Sequence, residues 1–174
     1  MHSKKRGGII VLRPMKISDT ENIVQWRNNP RVRNNFIYQK LFTREGHLKW
    51  IETMINTGKA IQFIIVESST GKAIGSTYLR DIDYNHNKAE FGIFIGADET
   101  VNRGYGTEAC KLICQYGFEN LKLHKIFLRA FESNRQAIRS YEKAGFVHEG
   151  LFRDEVRIDG KYFNIVMMGK INPQ

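Results

Sequence analysis

The segment from Lys88 to Asn120, KAEFGIFIGADETVNRGYGTEACKLICQYGFEN, constrains the fold more than any other. Ala89 to Ile95 is an apolar run of strand length. Thr107 to Leu121 has helical periodicity, with Glu108, Lys111, Gln115, Glu119 and the following Lys122 on one polar stripe. A helix that is apolar around most of its circumference must lie against a sheet, so the segment predicts a layered α/β arrangement. The connecting loop, Asn102-Arg103-Gly104-Tyr105-Gly106-Thr107, opens the helix. Two glycines one residue apart let the backbone turn sharply and aim several amides at one point. Those amides and the positive helix end suit a pyrophosphate, and Arg103 adds a mobile counter-charge.

Three loop types share this look. A nucleotide P-loop requires Gly-Lys-Ser/Thr, which is absent. Gly104, Gly106 and Ala109 match a dinucleotide fingerprint literally, but the strands before them read as antiparallel hairpins. No acidic residue closes a following strand where the ribose contact belongs. The third type fits. With Asn134, Ala137, Tyr141, Lys143, Gly145 and Phe146 of SNRQAIRSYEKAGF, the loop resembles the two signatures of the GNAT N-acetyltransferase superfamily, over Ile10 to Ile171. Val101 stands where that family most often has Gln or Arg. The nearest resemblance is to ribosomal-protein, spermidine and nucleotide-amino-sugar N-acetyltransferases.

The chain in order agrees with one mixed α/β domain over residues 9–172, built on a mostly antiparallel sheet flanked by helices, after a flexible basic N-terminus over residues 1–8. Ile9 to Arg13 reads as a strand. Ser18 to Glu21 reads as a capping box before a helix that Pro30 interrupts, and Thr43 caps a second helix. Gln62–Glu67, Ala73–Asp81, Ala89–Ile95 and Lys125–Phe131 read as strands. Ser133 and Gln136 read as a capping box for a helix that Gly145 ends. Val147–Val156 and Tyr162–Ile171 form a hairpin across Asp159-Gly160.

With 174 residues and 41% hydrophobic content, the chain can bury a core. No apolar run reaches membrane-span length, no signal peptide is visible, and Cys110 and Cys114 read as buried thiols, so a cytoplasmic location without membrane contact is expected. No histidine spacing suits a metal, and none is assigned. Of the formal net charge of +9, +8 lies in residues 1–60, where 12 Lys+Arg face 4 Asp+Glu.

Acetyl transfer to an amine needs a proton acceptor and a group that protonates the departing thiolate. Glu90, on the strand running into the loop, is the candidate base. The competing expectation is a surface carboxylate paired with Lys88 or Arg80. Tyr141 shares the inward stripe of its helix with Ala137 and Ala144, which by itself suggests core packing. The resemblance makes it the candidate acid.

The resemblance further implies acetyl-CoA as cosubstrate, held by Ile93, Phe94, Ile95, Arg103, Gly104, Tyr105, Gly106, Thr107, Asn134 and Lys143. Backbone groups of Ile93 and Ile95 would pair with it as an added strand would. The N-terminal helices would line the acceptor side, giving Arg27, Arg31, Arg33, Phe36 and Tyr38 as acceptor-binding candidates. Their positive charge favours an amine on an anionic carrier, such as a nucleotide-linked amino sugar. Alternatives are a ribosomal-protein N-terminus, a polyamine such as spermidine, or a silent acyl-CoA sensor. A homodimer is also expected.

Overall fold

A computed structural model describes residues 8–173, so the basic N-terminus expected over residues 1–8 lies, apart from Gly8, outside the described residues. Seven strands form one sheet: β1 (Ile10–Pro14), β2 (Ile61–Glu67), β3 (Ala73–Asp83), β4 (Lys88–Ile95), β5 (Lys125–Phe131), β6 (Val147–Ile158) and β7 (Lys161–Ile171). Their order across the sheet is β1-β2-β3-β4-β5-β7-β6, and only β4 and β5 run parallel. The tight turn at Asp159 (φ 48°) and Gly160 (φ 81°) joins β6 to β7, as the Asp-Gly pair predicts.

Both sheet faces are covered. On one lie α1 (Thr20–Asn28), the single turn α2 (Pro30–Arg33) and α3 (Arg44–Trp50), which continues through a π-helical stretch over Ile51–Ile55. Ile23, Trp26 and Val32 pack there on Ile64 and Phe94. On the other face lie α4 (Tyr105–Glu119) and α5 (Arg135–Lys143). Cys110, Ile113, Cys114, Phe118 and Ile138 bury against Leu79, Phe91, Ile126 and Leu128. The two cysteines are free and buried, as their place on the apolar face of α4 requires.

The helix starts differ from the expected capping boxes. Ser18 does not cap α1. Instead a short 3₁₀ turn over Ile17–Asp19 leads into it, and the Asp19 carboxylate accepts from the Lys16 amide at 2.8 Å and from both terminal nitrogens of Arg13 at 2.8 and 2.7 Å. The salt bridge satisfies the carboxylate more strongly than a helix amide would. Asn134, not Ser133, caps α5, its Oδ1 accepting from the Ala137 amide at 3.3 Å. Thr43 caps α3 as expected, accepting from the Gly46 amide at 3.0 Å.

Candidate active site

The central strands part company. β4 and β5 pair only through Lys88–Lys125, Ala89–Ile126 and Glu90–Phe127. Beyond Glu90, β4 stays with β3 as far as Ile95, while β5 stays with β7 as far as Phe131. The Gly96 amide donates to the Ile74 carbonyl of β3, so by the two-residue alternation of a strand Ile93 and Ile95 turn their backbone groups the other way, into the gap. A cleft of about 450 Å³ occupies this parting.

One wall of the cleft is the loop at the head of α4. Gly104 holds φ at 78°, a conformation that suits glycine, and leads directly into α4, whose first amides have no partner within the helix. Asn102, Arg103, Gly106 and Thr107 line the same wall. A Cβ at Gly106 would meet nothing within 4 Å, so the protein itself leaves that space open. Tyr105 does not turn its side chain outward. It is buried beneath the loop, where its hydroxyl donates to Glu67. Arg103 lies 3.6 Å from the same carboxylate. Hydrogen bonds from Thr70 and Tyr105, with the nearby Arg103 and Lys72 charges, hold Glu67 below the usual carboxylate range.

Phe94 packs its side chain edge-on to Trp26 and Phe36 at 6.5 and 6.0 Å, on the face of α1 and α2. Asn134 lines the cleft with its oxygen committed to capping α5. Lys143 is exposed on the last turn of α5 and is not among the cleft-lining residues; the helix carries it past the opening.

The two candidate catalytic side chains approach from opposite faces of the sheet. Tyr141 lines the cleft from the α4 side, its ring edge-on to Phe91 at 5.7 Å. Burial pushes its phenol well above the ordinary tyrosine range, so it stays protonated. Glu90 is buried on the other face. Its Oε2 accepts from Arg80 Nε at 3.1 Å and from Arg129 Nη2 at 3.4 Å, with Arg80 Nη2 in ion-pair contact at 3.0 Å, while Oε1 accepts from Arg129 Nε at 2.9 Å. The alternative partner Arg80 is therefore present, Lys88 is not used, and Arg129 is a partner that sequence reasoning missed. Alternation on β5 puts Arg129 opposite to Leu128, the only sequence signal that it shares the face of Glu90.

The expected acceptor residues divide. Arg27 lines the cleft with its guanidinium carbon 3.4 Å above the Phe36 ring centroid, and burial lowers its pKa. Tyr38 is exposed at the rim. Arg31 is a brace: Nε donates to Asp98 at 2.7 Å and Nη2 to the Ile95 carbonyl at 2.8 Å. That carbonyl, expected to receive a ligand amide, is thus already engaged. Arg33 is not among the lining residues. Tyr78, also missed, lies across β4 so closely that a Cβ on Gly92 would come within 2.2 Å of its ring.

Among the described residues no cluster of three or more His, Cys, Asp or Glu suits a metal ion, and no helix is long and apolar enough to cross a membrane. The parted strands, the left-handed Gly104 and the open space at Gly106 fit a phosphate-bearing thioester laid along β4.

The family profile described as "Acetyltransferase (GNAT) domain" matches residues 10–147. The spermidine N(1)-acetyltransferase of Escherichia coli K12 is 31% identical over 161 residues, covering 91% of this chain and 84% of that protein. The crystal structure of spermidine N-acetyltransferase from Vibrio cholerae in complex with CoA and spermine superposes with a TM-score of 0.86 at 27% identity, over 94% of this chain and 95% of that one. A dodecameric structure of the Vibrio cholerae protein has a TM-score of 0.79 at 27% identity, over 94% of each chain. The match covers both walls of the cleft, and the chain belongs to the GNAT family as an acetyl-CoA-dependent N-acetyltransferase.

Proposed function

We propose that the chain acetylates a small primary amine by direct attack within a ternary complex, the two substrates meeting at the parting of β4 and β5 from opposite faces of the sheet. That parting is the observation that carries the reading. Acetyl-CoA supplies an acetyl group on a thioester. The outward backbone groups of β4 and the amides at the head of α4 hold and orient it, with Arg103 near the phosphates. The amine nitrogen bonds to the carbonyl carbon, and the carbon–sulfur bond breaks.

An alkylamine is about 0.1% or less unprotonated at neutral pH, so its proton needs an acceptor. Glu90 keeps lone-pair capacity on Oε1, which accepts only one hydrogen bond, and takes the proton directly or through a water. Tyr141 gives its phenolic proton to the sulfur. Its raised pKa keeps that proton available.

The nucleotide-linked amino sugar expected from the sequence finds no echo in the names of the relatives above. Those names support a polyamine such as spermidine. One observation favours a second reading, an amine that also bears an anionic group: the charged residues lining the cleft are Arg27, Arg31, Arg80, Arg103, Arg129 and a single carboxylate, Glu90. Self-association belongs to the same proposal, supported by the dodecameric neighbour.

Thiol release from acetyl-CoA, measured against spermidine, amino sugars with and without phosphate or nucleotide, and ribosomal-protein N-terminal peptides, tests the activity. Tyr141→Phe should retain acetyl-CoA binding and lose about a hundredfold in kcat. Acetyl-CoA binding without turnover of any amine would instead support a silent sensor.

A further inference from the structure

We infer that Arg80 and Arg129 form a receptor for an anionic group, carboxylate or phosphate, that the acceptor carries beside its reactive amine. The inference rests on the proposed function, in which the acceptor enters over the Glu90 face. Glu90 is one carboxylate shared by two guanidiniums, its four contacts lying between 2.9 and 3.4 Å. Each guanidinium has five N–H donors; Arg129 donates to Glu90 from two nitrogens and Arg80 from Nε alone, so donors remain on each. Asp81 lies 3.8 Å from Arg80 Nε on the exposed side, beyond hydrogen-bond reach, and neutralises little.

Arg27 adds to the excess. It is desolvated above Phe36, its Nη1 is buried without a hydrogen-bond partner, and the Arg80 charge acts on it directly. The floor of the acceptor half therefore holds three guanidiniums against one carboxylate. Arg31, neutralised by Asp98, is not counted.

Partly buried charge without a counter-ion is costly, and a planar fork matches carboxylate or phosphate oxygens in pairs. An acceptor with an anionic group two or three bonds from its amine would satisfy the arginines and bring the amine to Glu90. A wholly cationic acceptor would meet like charge on the same floor.

Calorimetric titration of the full chain, saturated with CoA so that the loop at α4 is filled, reads the receptor directly. Inorganic phosphate and acetate are titrated separately to distinguish the two anion chemistries. Wild type should bind at least one, and Arg129→Gln and Arg80→Gln should each weaken that binding about tenfold or more. Arg33→Gln, outside the cleft lining, should leave it unchanged. Should a glutamine variant fail to bind CoA, Arg129→Lys, which keeps the charge and loses the fork, should still weaken the anion severalfold. In turnover, the kcat/KM ratio of O-phosphoethanolamine to ethanolamine should exceed one in wild type and collapse toward one in Arg129→Gln. No binding of either anion to wild type, or binding indifferent to both arginines, overturns the inference. Turnover of spermidine with no anion bound would sink the receptor and leave the N-acetyltransferase standing. Anion binding without turnover of any amine would do the reverse.

Discussion

Glu90 shows how one side chain can hold two jobs that compete. Its carboxylate orders two arginines, yet the proposed chemistry asks it to receive a proton. The geometry permits both only because the four contacts are uneven, three on Oε2 and one on Oε1. Glu90→Gln keeps the shape and removes the basicity, so kcat should fall by about 10²–10⁴. An unaltered kcat in the variant would assign the proton to another group. Tyr141 teaches the complementary lesson. Its helical spacing with Ala137 and Ala144 marks an inward residue, and inward residues are mostly packing. Only the parting of β4 from β5 opens the cleft that Tyr141 lines.

At the scale of elements, the head of α4 separates what glycine does for the fold from what it does for a ligand. Gly104 needs its positive φ, so Gly104→Ala should lower stability by about 1–2 kcal/mol. Gly106 is the second residue of α4, with no positive φ, and its Cβ position is empty. Gly106→Ala should therefore raise stability by about 0.5–1 kcal/mol, as alanine does in a helix, while raising KM for acetyl-CoA. Thermal melts paired with acetyl-CoA titration check both. A Gly106→Ala protein with unaltered acetyl-CoA affinity would place the phosphates elsewhere. The element boundaries were readable to within a few residues because apolar periodicity sets them. Caps were less readable: Ser, Asp and Asn all cap well, and Asp19 was diverted by Arg13, a partner on β1.

For the molecule as a whole, two buried polar groups under α1 and α3 tie stability to pH. His47 is buried with Nε2 unpartnered, and burial lowers its pKa. A depressed histidine contributes stability above its unfolded value, about 6.5, and that contribution is lost as pH falls below it. Asp19 is lowered by its hydrogen bonds from Arg13, so its contribution is present above about pH 4 and lost on further acidification. The melting temperature should hold near pH 7–8, fall below about 6.5, and fall again below about 4. His47→Gln should remove the first step, and Asp19→Asn should lessen the second, to which Glu67 also contributes. A melting temperature flat from pH 7 to 5 would contradict the neutral buried His47.

By itself the sequence determined the elements, the family resemblance, the cofactor loop and the candidacy of Glu90 and Tyr141. Each is a local matter: periodicity of 2 or 3.6, a turn requiring positive φ, or a motif contiguous in the chain. Tertiary structure alone decided the parting of β4 and β5, the pairing of Glu90 with both Arg80 and Arg129, the burial of Tyr105 on Glu67, and the diversion of Arg31 to Asp98 and the Ile95 carbonyl. These contacts join residues 10 to 67 positions apart. Their partners are chosen by sheet order and strand register, and neither leaves a mark in the local pattern of a chain. The charge of the acceptor half follows the same logic. The count of basic residues was visible, but which of them are neutralised depends on which carboxylates the fold brings within reach.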